Sequence, residues 1–507
     1  MNKNRVFAAV LMGLASLVLF SITLDPDVQA HDSGEWQAVA DKLGVSHPPG
    51  SPLYALIGWL FTLVPFGSVA GRVTFVSAVV GAAGVSALFV LMMLILDRWL
   101  PAIVAAASLA VAGLWWSHAS VATPYNGIPA MIALLLILLV YWQRRGSPRL
   151  VWAGALLFGL GMGYHPSLVF FLPVLLAGVV VLGPWRDLLK LRTAIITVLL
   201  FAMGLSVYAY LPIRSAANPE IMYEKVDSLS SLVRYVTAGD QREAGEHGFI
   251  TFLSMSDLKD RFTEVVRQGY YPSYAFLVFG PAVVLFYPAV WPKLKMRRRL
   301  LIYLGAGMFA HMLLIAAISG LYAQYYMPLL LYFSIWAGFS IWLVTVLAEE
   351  YLPEGRVRLV PIVLAGTLYL GVLALGMNNV WDFVNHRHDR GMRNYADWVY
   401  DNARPNAVVL AEWNTYAGLL YLQKIEGRRP DIKLVHVDKD WKETMRSEKA
   451  IEPGAHILVS LSLPHESSKD MIPVGGDYYL SIKGRTYQDR SHGEPYPLTV
   501  RLYDMKI

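Results

Sequence analysis

The sequence predicts a polytopic α-helical membrane protein with about eleven crossings and a C-terminal extracytoplasmic α/β domain. Three observations point there. Of 507 residues, 56% are hydrophobic and only 16% charged, far more apolar than a soluble domain of that length. Apolar runs long enough to cross a bilayer recur from Val6 to Met377. After Met377 charge returns and no such run occurs, so residues 1–377 read as the membrane region and 378–507 as a soluble domain.

The crossings are expected at 6–24, 73–96, 101–117, 127–142, 150–164, 167–183, 193–212, 274–291, 299–318, 323–347 and 359–377. Residues 1–24 also fit a cleaved signal peptide, with Lys3 and Arg5 before the apolar run and "VQA" after it. The run is long for a signal, and the chain needs a first helix in any case. The run 52–66 is short and opens and closes near proline. If it does not cross, Arg98, Arg144, Arg145, Arg149, Arg186, Lys190, Arg192, the cluster at 293–299, Arg356 and Arg358 all fall on the side of Lys3 and Arg5. That is the cytoplasmic side by the positive-inside tendency. The run is therefore expected to lie at the interface, within a first outer loop at 25–72, with a second outer loop at 213–272. In the second loop, 228–239 and 256–271 have the pattern of short surface helices. The N-terminus is then cytoplasmic and the C-terminal domain outside. The compact loops suit a bacterial inner membrane.

The net charge of +6 and pI near 9.1 sit mostly in those flanking clusters, which argues topology and against a nucleic-acid partner. With no cysteine, disulfides, Fe–S clusters and thiol chemistry are excluded. Past Met377 the pattern runs helix (390–403), strand "AVVLA", helix (415–427), strand "IKLVHV", strand "HILVSL", as an α/β domain would.

The first outer loop holds "HDSGEWQAVADKLGVSHPPG". Asp32 and Glu35 are three apart and share a helix face. They suit a general base with a second acid that binds or orients, or simply an N-cap followed by a first-turn acid. The "HPPG" break after them either turns the chain or steers His47 back toward Asp32. Arg72 and Arg214 stand at the outer boundary, where arginine either snorkels or binds phosphate bidentately. Tyr125, Asn126, His165, Gln324, Tyr325 and Tyr326 emerge at the same level. An aromatic belt accounts for the tyrosines singly, but not for their coincidence with acids, histidines and arginines. There is no metal-ligand pattern, no Walker A and no GxGxxG after a strand.

Taken together, "DSGEWQAVADKLGVSHPPGSPLY", "GRVTFVSAVVGA", "GLGMGYHPSLVFFLP", "YLPIRSAANP" and "VVLAEWNTYAGLLYLQKIEGRRPDIKLVHV" resemble the GT-C glycosyltransferases of the protein O-mannosyltransferase type. The sequence is most similar to the transmembrane protein 260 family. The resemblance implies transfer of a sugar such as mannose from a polyprenyl-phosphate donor to an acceptor hydroxyl, of a protein serine or threonine or of a glycan, at the outer membrane face. It implies Asp32 as the base and Arg214, with Arg72, at the donor phosphate. Glu35, His47, His165 and the neighbouring polar groups are left to position sugar or acceptor. It implies no soluble cofactor and no required metal. Two segments depart from the family pattern. Thr123 and Pro124 stand where relatives often carry an acid, and "AEWNTY" stands where they often show a "GDND"-like run. A lipid flippase and a non-catalytic envelope scaffold are the rival functions. The first usually shows midplane charges and repeats, and the second leaves the acidic loop without a role.

Overall fold

The computed structural model describes residues 3–239, 295–318, 323–437, 456–462, 472–473, 478–480 and 498–506. The expected span 274–291, the surface helix at 256–271 and the second outer loop from residue 240 onward lie outside the described residues.

The membrane region is built from α1 (Lys3–Thr23), α2 (Asp32–Lys42), α3 (Pro52–Thr62), α4 (Val69–Leu96), α5 (Trp99–Ala110), α6 (Gly113–Ala119), α7 (Gly127–Arg145) and α8 (Pro148–Tyr164). It continues with α9 (Leu172–Leu182), α10 (Leu191–Leu205), α11 (Tyr210–Ala216), α12 (Leu229–Val236), α13 (Lys295–Ile318), α14 (Met327–Tyr351) and α15 (Leu359–Val384). Among the described residues six helical stretches are long and apolar enough to cross a membrane, or seven if the bent pair α5 and α6 is one span. The chain is an integral membrane protein.

Three expectations change. The straight span expected at 101–117 is broken, with α5 and α6 meeting at 65°. Gly113 opens the second piece, and Trp115 and Trp116 beyond it are buried in the core. The last crossing, expected to end at 377, continues to Val384, so the boundary drawn at 377/378 falls inside a helix. The crossing expected at 167–183 is not one α-helix but opens as a 3-10 segment, Pro166–Phe171, before α9. The segment expected to lie at the interface is the short helix α3, only 11 residues long.

The 28 residues of α4, about 42 Å of helix, connect two chemically different ends of the bundle. At its C-terminal end Arg5 pairs with Asp97, Arg98 with Glu349, and Arg144 donates to the Leu94 carbonyl. Three of the basic residues on which the topology was argued, Arg5, Arg98 and Arg144, therefore lie together at this end. At its N-terminal end α4 packs on α2 and α3, where the acids and histidines lie.

Beyond α15 come α16 (Gly391–Asn402), β1 (Val408–Glu412), α17 (Trp413–Lys424), β2 (Lys433–Val437), β3 (His456–Ser462), β4 (Ile472–Pro473), β5 (Tyr478–Leu480) and β6 (Leu498–Lys506). The sheet order is β2-β1-β3-β6-β4, with β5 also paired to β6. β1 lies parallel to both β2 and β3, in register Val409↔Leu434 and Val409↔Leu458, and β6 runs antiparallel to β3. The run "AVVLA" is buried as a central parallel strand should be.

This sheet unit is fastened to the first outer loop. Arg393 grips Asp27 with Nε at 2.9 and 2.8 Å and reaches Glu426 with Nη1 and Nη2 at 2.8 and 2.7 Å. Burial raises the Asp27 pKa, but the Arg393 hydrogen bonds outweigh it and hold the carboxyl below the ordinary carboxylate value. The Ala70 amide donates to the Tyr421 hydroxyl at 3.0 Å. α2 and α17 touch backbone to backbone. A Cβ on Gly34 would stand 2.5 Å from the Gln29 carbonyl oxygen and 2.9 Å from the Ala417 carbon and Gly418 nitrogen. Gly34→Ala is therefore expected to lower the thermal unfolding midpoint, at an overpacking cost of ~1–3 kcal/mol. A midpoint equal to that of the wild type in the same detergent would show that the two helices separate freely.

Candidate active site

The site is built on α2. His31 precedes it with φ at 54° and makes no side-chain cap, so Asp32 is the first helical residue and not the cap. The capping role left open for Asp32 or Ser33 is not what their side chains do. Ser33 donates to the Ala122 carbonyl at 2.5 Å, and Asp32 Oδ1 accepts from Trp413 Nε1 at 2.7 Å. Trp413 opens α17 at the carboxyl end of β1, the end of a parallel strand where α/β folds place their ligands.

One turn along α2, Glu35 is 2% exposed. Its Oε1 accepts from the His47 backbone amide at 2.7 Å, and its Oε2 meets His47 Nδ1 in a very short contact. The break at Pro48, Pro49 and Gly50 thus brings His47 back onto α2, with Glu35 as its direct partner. Burial opposes charge on both groups. At Glu35 it leaves the carboxyl above its ordinary value. At His47 burial is outweighed by the charges of Glu35 and Asp32, and the imidazole rises from 6.5 to about 9. His47 Nε2 makes no hydrogen bond among the described residues. The ring is enclosed by Trp36, Trp413 and Tyr223, with centroids at 5.6, 5.5 and 6.3 Å.

A second group forms nearby. His165, in the tight turn between α8 and the next helical piece, sits 5.0 Å from the Tyr125 ring and 5.9 Å from that of Tyr325, with Tyr125 and Tyr325 5.8 Å apart. His165 Nδ1 pairs with the Ser167 hydroxyl at 2.8 Å. Burial, with the His47 charge adding to it, pushes His165 down to about 3, so it stays neutral. Rings in edge contact join the two groups, from Trp36 through Tyr54 to Tyr164 at 5.6 and 5.7 Å.

The remaining expected residues are not at Asp32. Arg214 donates Nε to the Leu43 carbonyl at 2.6 Å and Nη2 to Lys42 at 3.3 Å, which clamps the C-terminal end of α2 about 15 Å from Asp32 along the helix. Arg72 holds the end of α3, donating to the carbonyls of Thr62 and Val64. Asn126 is buried against the Trp115 carbonyl at 3.3 Å, its Oδ1 without a partner among the described residues. Tyr326 is buried in the main core, and Gln324 is half-buried beside it. Sequence reasoning missed Trp36, Trp413 and Tyr223. The signal for Trp413 was the departing segment "AEWNTY" itself, at the end of an expected parallel strand. No group of three or more His, Asp or Glu able to hold a metal occurs among the described residues.

Residues 32–187 match the family described as the protein O-mannosyl-transferase TMEM260 N-terminal domain, a segment that begins at Asp32. The mouse (Mus musculus) protein O-mannosyl-transferase TMEM260 is 31% identical over 222 residues, 41% of this chain and 30% of its own length. The Dictyostelium discoideum protein of the same name is 26% identical over 147 residues, 28% of this chain and 18% of its own. The match thus spans less than a third of either relative. The solved ArnT from Cupriavidus metallidurans, bound to undecaprenyl phosphate, superposes with a TM-score of 0.56 at 13% identity, covering 98% of this chain and 97% of that one. At that identity the likeness is one of fold. The chain shares the fold of that structure, with the matched segment 32–187 contributing Asp32, Glu35, His47, Tyr125 and His165, and the chain beyond it contributing Trp413 and Tyr325.

Proposed function

We propose that this protein is a glycosyltransferase that moves a sugar, mannose by the name of its relatives, from a polyprenyl-phosphate donor to a serine or threonine hydroxyl of a protein at the outer membrane face. The observation that carries the reading is Asp32. It is a carboxylate held at the start of a loop helix, one turn from a buried Glu35–His47 pair, at the end of α4 opposite Arg5, Arg98 and Arg144. The names of the relatives and the undecaprenyl phosphate bound to ArnT support the choice of sugar, acceptor and donor class.

In this scheme Asp32 takes the proton of the acceptor hydroxyl as its oxygen attacks the anomeric carbon. The bond from that carbon to the phosphate oxygen breaks with inversion, and polyprenyl phosphate leaves. His47, charged and with Nε2–H making no hydrogen bond among the described residues, is the cation beside Asp32 that would meet the leaving phosphate. Arg214 and Arg72 act one step removed, by fixing the ends of α2 and α3. Neutral His165, with Tyr125 and Tyr325, offers ring faces and hydrogen-bonding groups to a sugar.

The test is transfer from a panel of polyprenyl-phosphate sugars to a serine- and threonine-containing peptide by the purified protein. Turnover with one donor supports the scheme, and absence of turnover with every donor removes it. The rate should be bell-shaped in pH. It should rise as Asp32 ionises and fall as His47 loses its proton near 9. The sign follows from the raised pKa. The contribution of the His47 charge to stability is complete below about 6.5 and lost as pH rises through about 9, so the unfolding midpoint should fall over the same alkaline window. An alkaline limb that survives in His47→Gln would assign that limb to another group.

A further inference from the structure

We propose that Trp413 is a positioning residue for Asp32, so that the base of the membrane region is completed by an indole delivered from the C-terminal sheet unit. The inference rests on the transfer reading above. Trp413 lies outside the segment matched by the TMEM260 N-terminal domain and is 381 residues from Asp32 in sequence, yet its only donor, Nε1–H, ends 2.7 Å from Asp32 Oδ1.

The direction of that hydrogen bond is fixed on every side. The indole is edge-on to His47, Tyr223 and His436, with centroids at 5.5, 5.6 and 5.1 Å, and stacked on Tyr416 at 6.1 Å and 28°. The helix that carries it cannot slide along α2. The His31 amide donates to the Asn414 carbonyl at 3.0 Å, and Gly34 meets the Ala417–Gly418 backbone without a side chain between them. An N–H donated to a carboxylate favours its charged form and locks its rotamer. Trp413 therefore holds the Asp32 carboxyl aimed, while touching no reacting atom itself. A purely structural tryptophan would pack as well through a phenyl ring, and the nitrogen would then have no consequence.

Trp413→Phe, compared with the wild type at the same unfolding midpoint, tests this. Loss of a hydrogen bond to a charged group predicts kcat about tenfold lower with the acceptor KM nearly unchanged, and an acid limb of the pH–rate profile moved up by about one unit. Trp413→His, which keeps a ring N–H, should recover part of both. In the double variant Asp32→Asn/Trp413→Phe the second change should add nothing, because the indole acts through the carboxylate. Wild-type kcat and acid limb in Trp413→Phe, no recovery in Trp413→His, or full additivity in the double variant would each overturn the assignment while leaving the transfer reading intact. No wild-type turnover with any polyprenyl-phosphate sugar overturns both.

Discussion

Asp32→Asn should reduce sugar transfer by ~10²–10⁴-fold, the usual contribution of a general base, while the protein folds and binds its donor. The substitution suits the question because asparagine keeps an oxygen for the Trp413 indole to donate to, so the contact between α2 and α17 persists. The residue is half-buried at the start of its helix, and its neutral isostere removes charge without opening a cavity. Transfer assayed with a labelled lipid-phosphate sugar, alongside donor-induced thermal stabilisation, separates the two properties. Loss of transfer with retained stabilisation identifies the base, whereas transfer at the wild-type rate would place the base elsewhere on the bundle.

The second large effect falls on stability. Glu35 is buried and bonded twice to His47, through the imidazole and through the backbone amide. Glu35→Gln leaves a buried imidazole without its counter-charge, and breaking a buried pair from one side costs about 3–5 kcal/mol. A marked fall in the unfolding midpoint is expected, together with lost activity. Removing both partners, in Glu35→Gln/His47→Asn, should restore part of that midpoint, because the uncompensated charge is gone while the surrounding Trp36, Tyr223 and Trp413 rings still pack. Additive losses in the double variant would mean that the two residues act independently and that the pair is not a unit.

What could be read from the sequence follows from how local each signal is. Crossings such as 73–96 and 127–142 were legible because the length of an apolar run is written in consecutive residues. The bend between α5 and α6 was not, because "VAGLWW" is apolar on both sides of the break and carries no charged or proline signal. Asp32, Glu35 and His47 were legible because the helix repeat and a rigid break bring near neighbours together. Arg214 was visible as a charge at a boundary, but its partners are the carbonyls of Lys42 and Leu43, and a carbonyl acceptor leaves no letter in the sequence. The Asp32–Trp413 bond joins two units through a contact that no local pattern encodes.

The clamp on the end of α2 has a geometric consequence. Arg214 and Tyr210, whose hydroxyl donates to the Gly44 carbonyl at 2.7 Å, lie at the top of the membrane-length stretch Leu191–Ala216. The helix bearing Asp32 therefore hangs from a hydrophobic post, and its height relative to the base of that post is set by the post's length and not by a pliant loop. In the proposed transfer, a lipid-linked donor would then present its reacting carbon at one fixed height above the post, so the spacing between tail and sugar would be gauged as by a ruler.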